Sequence, residues 1–142
     1  MKRKIIKTIL AGAITLLAFS QNADAQCDKT ITLTSSETSF LDAQGAVTNT
    51  KTEEVKVTIT PTDITIEPGN DPQMTGKITS KTCEWKVPYK EGKMVIKSTI
   101  SGQGDEKHIT VTIEGKDGKV TLTFEAEEMK DRKIQVVADK FV

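Results

Sequence analysis

The sequence predicts an all-β domain built from antiparallel strands. Apolar and polar residues alternate with period two almost throughout residues 26–142, which is typical of strands that bury one face. Threonine, valine and isoleucine dominate these segments, and β-branched residues favour strands. Turn residues separate the segments at spacings that suit hairpins. We therefore predict an eight-stranded up-and-down meander in which each strand pairs with its sequence neighbours.

The alternation defines eight segments in order along the chain. In the fourth, the early apolar residues Met74 and Ile78 have one parity, whereas Cys83 and Trp85 have the other, so a one-residue bulge is predicted between them. Residues 125–131 suit a single helical turn. The predicted strands are 29–35 (resuming toward Phe40), 53–60, 63–67, 73–87, 93–101, 107–114, 119–126 and 133–142.

Four short connections predict the register of neighbouring strands. Pro61 stands at the second position of the turn 60–63, where its fixed φ is favoured. Asp117-Gly118 suits a type I′ hairpin, and Gly104-Asp105 and Glu91-Gly92 suit tight turns. The predicted cross-strand partners are Ile59 with Ile64, Tyr89 with Met94, Val87 with Ile96, Ile100 with Ile109, Val111 with Phe124 and Ile113 with Leu122. In every pair both side chains face inward.

Such a meander either closes into a small barrel or folds into a two-sheet sandwich. We favour the barrel, because closure removes exposed strand edges, and keep the sandwich as the alternative. Side chains just fill the interior of an eight-stranded barrel, or it holds one small ligand. Aromatic residues make up only 4% of the chain, so the inward set of valine, isoleucine and leucine predicts an underfilled interior.

The first 25 residues have the three parts of a secretory signal peptide. A basic start, 1–7, precedes a short apolar run, 9–19, and the small residues Ala23 and Ala25 mark a cleavage site. The run is too short for a membrane span, which needs about 20 residues. We predict cleavage after Ala25, a single domain of residues 26–142, and a periplasmic or secreted destination.

Cys27 and Cys83 are predicted to form a disulfide, as expected for two cysteines in an exported protein. Closing so long a loop stabilises the fold by about 4 kcal/mol on the chain-entropy model. The alternative is a lipid anchor on Cys27, but the preceding residues Asp24-Ala25-Gln26 fit a lipid-attachment motif poorly.

Composition argues against nucleic-acid binding. Cleavage removes four of the 20 basic residues and one of the 20 acidic residues, which leaves a net charge of about −3. Binding to a phosphate backbone needs a basic surface. The remaining lysines are scattered among glutamates and threonines, as on a solvated β surface.

No catalytic or metal-binding constellation is visible, so we predict a non-enzymatic protein without a metal or cofactor. His108, the only histidine, follows the outward parity of its strand and cannot by itself form a zinc site. The acidic pairs 53–54, 105–106 and 127–128 could supply carboxylates for glycoside hydrolysis, but solvated turn residues explain them more simply. The nucleophile-elbow, phosphate-loop and H-E-x-x-H motifs are missing.

The residues best suited to bind a ligand lie on the inward face. Trp85, Val87 and Tyr89 form an alternating row beside Cys83, and amphipathic aromatics often line binding sites. Packing around a disulfide is the alternative role for this row. Ser98 has inward parity and either contacts a ligand or bonds to the backbone. The predicted ligand-binding residues are Trp85, Val87, Tyr89, Met94, Ser98 and Phe124.

An exported chain of this size, with eight hairpin-linked strands and one disulfide, resembles the lipocalin-like, or calycin, small secreted barrels. The resemblance covers the whole mature domain and is architectural. The glycine two residues before a tryptophan on the first strand, which marks lipocalins, is absent, since the only tryptophan is Trp85 in Cys83-Glu84-Trp85. The resemblance implies a pocket for a small apolar molecule.

Two functions follow from these observations. The first is a soluble module that binds a small hydrophobic molecule inside the barrel, with no membrane span after signal cleavage. The second is a structural or protein-interaction module of the cell envelope, with a filled interior and a functional outer surface or edge strand. The underfilled interior favours the first.

Overall fold

A single antiparallel sheet that closes on itself forms the body of the protein. The computed structural model describes residues 27–101 and 105–142. The predicted signal peptide, together with Gln26 and residues 102–104, lies outside the described residues. Within them, eight strands form the barrel and a ninth short strand lies outside it. The predicted closed barrel is confirmed, and the sandwich alternative is wrong because strand pairing is continuous around the sheet.

The strands follow one another around the barrel in chain order. Most are longer than predicted, because cross-strand pairing continues into polar segments that show no apolar alternation. The nine strands are β1 (Ile31–Asp42), β2 (Val47–Ile59), β3 (Asp63–Pro68), β4 (Met74–Val87), β5 (Glu91–Ser101), β6 (Glu106–Lys116), β7 (Lys119–Ala126), β8 (Arg132–Val137) and β9 (Lys140–Phe141).

β1 closes the barrel because it pairs with strands on both of its edges. One edge pairs with β2 from Ile31 to Leu41. The other edge pairs with β8 over Thr38–Asp42, and with β9 at Leu33 and Thr34. β9 therefore continues along β1 after an interruption at 138–139, which ends the eighth strand earlier than predicted.

Inward-facing aliphatic side chains from every barrel strand form one core. Burial of an aliphatic side chain of this size contributes roughly 1.5–3 kcal/mol relative to exposure, so this alternating face supplies the main driving force for closure. The buried residues of this core are Ile31, Leu33, Val57, Ile59, Ile64, Ile66, Trp85, Met94, Ile96, Ile100, Ile109, Val111, Ile113, Val120, Leu122, Phe124, Ala126 and Val136.

Two of the four predicted registers are confirmed. Ile59 pairs with Ile64 across the proline turn, and β6 pairs with β7 as Asp117-Gly118 predicts. The other two are wrong. Ser98, not Ile100, lies opposite Ile109, because Ser101 pairs with Glu106 and the connection has four residues instead of two. The register of β5 with β6 differs from prediction by two residues, an even number, so the inward faces of these two strands are unchanged.

The β4–β5 hairpin also turns earlier than predicted. Cys83 lies opposite Met94, and Val87 pairs with Glu91. Tyr89 therefore lies in the connection, with φ of 63°. The register shifts a second time between Trp85 and Val87, and the Val87 side chain is 39% exposed. The prediction that Val87 faces inward was wrong for this reason.

The bulge predicted in β4 is confirmed. The pairing of β4 with β5 shifts between Ile78 and Ser80, which reconciles the two parities of the strand. The predicted helical turn is a 3₁₀ turn, Glu127–Met129. In the described part of the chain, no helix is long and apolar enough to cross a membrane.

Candidate functional site

The two ends of the barrel differ in what fills them. One end of the barrel carries the connections 60–62, 88–90 and 117–118, and we call it the closed end. The open end carries the connections 43–46, 69–73 and 127–131, together with the end of β5 and the beginning of β6. Antiparallel strands run alternately between the ends, so one half of each strand belongs to each end.

Aromatic rings pack together beside the disulfide at the closed end. The Phe141 ring lies 5.7 Å from the ring of Trp85 and 5.2 Å from that of Tyr89, the latter edge-on. The predicted disulfide between Cys27 and Cys83 is confirmed, with 6.0 Å between the Cα atoms. These contacts attach both ends of the described chain to β4 and its connection.

Two glycines make room for the indole ring at this end. Trp85 lies opposite Gly92 on β5, which in turn lies opposite Gly115 on β6. A Cβ added at Gly92 would lie 2.9 Å from Cδ2 of the indole, and one at Gly115 would lie 3.0 Å from Cζ3. Both contacts are shorter than ordinary packing allows, and the backbone oxygens of Glu84 and Lys90 lie closer still, so the ring and the neighbouring backbone together leave no room for side chains at these positions.

The open end holds a cavity of about 230 Å³. Its walls are mainly aliphatic and aromatic, and they come from all eight barrel strands together with the 3₁₀ turn and two connections. The lining residues are Thr38, Phe40, Glu53, Val55, Val57, Ile66, Pro68, Asp71, Met74, Ile100, Ser101, Asp105, Lys107, Val111, Leu122, Phe124, Met129, Ile134 and Val136.

One residue that lines this cavity, Thr38, has a buried polar atom without a protein partner among the described residues. The Thr38 side chain is 3% exposed, and its Oγ1 has no hydrogen-bond partner among the described residues. A buried hydroxyl in this state costs roughly 1–3 kcal/mol. Among the described residues, the Trp85 Nε1 atom at the closed end is the second buried polar atom of this kind, but Trp85 does not line the cavity.

A shift in the pairing of β1 with β2, which we call the bulge at Ser35, precedes Thr38 and turns this residue toward the cavity. Ile31, Leu33 and Ser35 face inward, and the pairing with β2 then shifts between Ser35 and Glu37. The Ser35 hydroxyl stabilises the bulge, because it donates to the Glu37 carbonyl oxygen at 3.0 Å and accepts from the Glu37 amide at 3.3 Å. After the shift the even-numbered residues Thr38 and Phe40 line the interior.

The 3₁₀ turn beside the cavity is attached to β6 by an ion pair. Glu128 accepts hydrogen bonds from the backbone amide of His108 at 2.9 Å and contacts its Nδ1 at 2.9 Å. The hydrogen bond from Glu128 raises the pKa of His108, and the same bond lowers the pKa of Glu128. Met129, the next residue, lines the cavity. This contact therefore holds part of the cavity wall in place.

His108 is exposed, as predicted from its parity. Together with Glu127 and Glu128 it places potential metal ligands within 4.8 Å of one another. All three residues are exposed, and the Glu128 carboxylate already bonds to His108. This cluster is explained by its role in attaching the 3₁₀ turn, and we assign no metal to it.

The structure brings one of the six predicted ligand-binding residues, Phe124, to the cavity. Trp85 and Met94 are buried in the core toward the closed end, and Tyr89 is half-buried there. Val87 is exposed. The Ser98 hydroxyl donates to the Lys77 carbonyl oxygen at 2.7 Å, which is the backbone bond considered as its alternative role.

Sequence reasoning missed Thr38 and Phe40, because alternation counted from Ile31 places them outward. A signal was present in the polar run 34–39, where strict alternation would bury Glu37. A bulge that turns Glu37 out also turns Phe40 in. Comparison with protein-family models, with curated proteins and with solved structures finds no match.

Proposed function

We propose that this protein is a non-enzymatic binding module that holds a small, mainly apolar molecule in the cavity at the open end. The observation that carries the proposal is Thr38, a residue that lines an apolar cavity and whose buried hydroxyl has no protein partner among the described residues. A ligand that hydrogen-bonds to Thr38 would offset this unfavourable burial, while its apolar part covers side chains such as Leu122 and Phe124.

The cavity volume limits the size of the ligand. At about 230 Å³ the cavity exceeds the roughly 150 Å³ that holds benzene in an engineered protein core. It is smaller than the pockets of about 300–1,000 Å³ that take drug-sized ligands. The best fit is one ring with short substituents or a chain of about eight carbons, with one polar group.

Architecture and compartment support the same function. A small closed antiparallel barrel is the architecture of lipocalin-like proteins, which this chain resembles in its eight successive strands and its disulfide. Disulfides persist in oxidising compartments. We propose that the domain acts after export, in the periplasm or outside the cell, as the leader predicted at residues 1–25 implies.

Calorimetric titration of residues 26–142 with 1-octanol tests the proposal. We expect saturable 1:1 binding with a negative heat-capacity change, since apolar surface is buried. Only heats of dilution, with the folded state verified by circular dichroism, would contradict it. Tryptophan fluorescence is a weak probe here, because Trp85 lies toward the other end of the barrel.

A free strand edge favours the second candidate, a protein-interaction module of the cell envelope. β3 pairs with β2 only from Val55 to Ile59, so Val47–Thr52 has a strand partner on one edge only among the described residues. An unpaired edge can add a strand from another chain. Slower hydrogen exchange of amides 47–52 at higher protein concentration would support pairing between copies, and unchanged exchange would contradict it.

A further inference from the structure

The charged side chains that line the cavity are unequal in sign. Among the described lining residues, three carry a carboxylate, namely Glu53, Asp71 and Asp105, and one, Lys107, carries an ammonium group. They come from β2, from the β3–β4 connection, and from the beginning of β6 with the residue before it. All four positions belong to the open end, so the mouth of the cavity carries an excess of negative charge.

These charged groups lie at the mouth of the cavity, whereas the walls deeper inside are apolar. Asp71 and Asp105 are exposed, and Glu53 is half-buried, with its Oε2 accepting a hydrogen bond from the Asn70 amide at 3.3 Å. A charged group on a ligand would lose its hydration inside the apolar walls, so it would stay at the mouth. There it would lie among the carboxylates.

We propose that the cavity selects amphiphiles by the charge of their polar end and prefers organic cations with an apolar tail to carboxylates. This inference rests on the proposed function, because it specifies the ligand of the same cavity. Like charges brought together beside a low-dielectric wall repel, and opposite charges attract, so the sign of the field at the mouth discriminates ligands with identical tails.

Three ligands with the same eight-carbon tail test the preference. At pH 7 and low ionic strength, octylammonium should bind about tenfold more tightly than octanoate, with 1-octanol between them. The ratio should shrink as salt is added, because the groups at the mouth are partly exposed and screening weakens their field. Equal affinities, or tighter binding of octanoate, would overturn the inference.

A pair of matched variants separates the mouth from the net charge of the protein. The double variant Asp71→Asn/Asp105→Asn removes two negative charges at the mouth and should lose most of the preference for the cation. The control variant Glu84→Gln/Glu91→Gln removes two exposed charges at the closed end and should keep it. If both double variants change the preference equally, the mouth is not the origin of the selectivity.

The outcomes also separate this inference from the proposed function. If octanol and octylammonium both fail to bind the folded protein, the cavity is not a ligand site and both proposals are wrong. If octanol binds saturably but octanoate binds as well as octylammonium, the binding function stands and the charge selectivity is wrong.

Discussion

The closed and open ends of this barrel are built from the same eight strands but differ in how their interiors are filled. At the closed end, the rings of Trp85, Tyr89 and Phe141 pack beside a disulfide. At the open end, aliphatic side chains and two phenylalanines leave about 230 Å³ unfilled around Thr38. The difference indicates a division of labour, in which one end contributes stability and the other end leaves room for a ligand.

The disulfide should give the largest effect, and that effect should be on stability. The double variant Cys27→Ser/Cys83→Ser opens a loop with a sequence separation of 56 residues. We expect the free energy of unfolding to fall by about 4 kcal/mol on the chain-entropy model, measured by urea denaturation.

Octanol affinity of the folded double variant should stay within about twofold of the parent protein, a change of less than 1 kcal/mol. A large loss of affinity while the barrel remains folded would show that the two ends are coupled, which contradicts the division of labour.

Filling the cavity should weaken octanol binding and change the free energy of unfolding little. In Val55→Phe a larger ring enters the cavity from β2, where the Val55 side chain is half-buried. We expect octanol affinity to fall about tenfold or more, with a change in unfolding free energy of about 1 kcal/mol or less, because unfilled volume is available.

The matched control is Val87→Phe, which makes the same change at an exposed position near the closed end. It should leave octanol affinity unchanged. If the two variants lose affinity equally, the ligand does not occupy the open end.

Removing the unpartnered hydroxyl should give a smaller effect on stability. Thr38→Val replaces the hydroxyl with a methyl group of similar size, so it removes the cost of burying an unpaired polar atom. We expect the ligand-free protein to become more stable by about 1 kcal/mol in urea denaturation. Octanol should bind the variant more weakly, whereas octane should not. A less stable variant would show that Thr38 has a partner in solution.

The ion pair between His108 and Glu128 should give the smallest effect. The raised pKa of His108 means that its contribution to stability is complete below the ordinary value of 6.5 and is lost as the pH rises through the raised value. The lowered pKa of Glu128 means that its contribution is complete above 4.5 and is lost as the pH falls through the lowered value. The contact therefore stabilises the 3₁₀ turn most between pH 4.5 and 6.5.

An NMR titration of the single histidine tests this contact. The variant Glu128→Gln should lower the pKa of His108 toward its ordinary value, since Glu128 is its main hydrogen-bond partner. Glu127→Gln should lower it less, because Glu127 acts only through its charge. Equal effects of the two substitutions would mean that His108 and Glu128 do not form the bond in solution.

Much of the fold was predictable from the sequence because alternation reports which face of a strand is buried. It predicted the barrel, the bulge in β4 and the bounds of β7. The register across two hairpins was not predictable, because Glu91-Gly92 and Gly104-Asp105 are compatible with several connection lengths.

The location of the cavity was less predictable than the fold. Unfilled volume depends on which side chains from all eight strands meet at the same level, and this depends on registers and bulges that alternation does not determine. Trp85 suggested a binding site because aromatics often line one, but Gly92 and Gly115 allow its ring to pack into the closed end. The bulge at Ser35 instead added a residue to the lining that alternation does not predict, since it turned the polar side chain of Thr38 toward the cavity.

The most direct test of the division between the two ends is methyl NMR of the isotope-labelled protein during titration with octanol. We expect saturable shifts confined to methyl groups that line the open end, such as those of Val55, Ile100 and Leu122, with Ile31 and Met94 unperturbed. Shifts centred on Met94 and the surroundings of Trp85, or none that saturate, would contradict it.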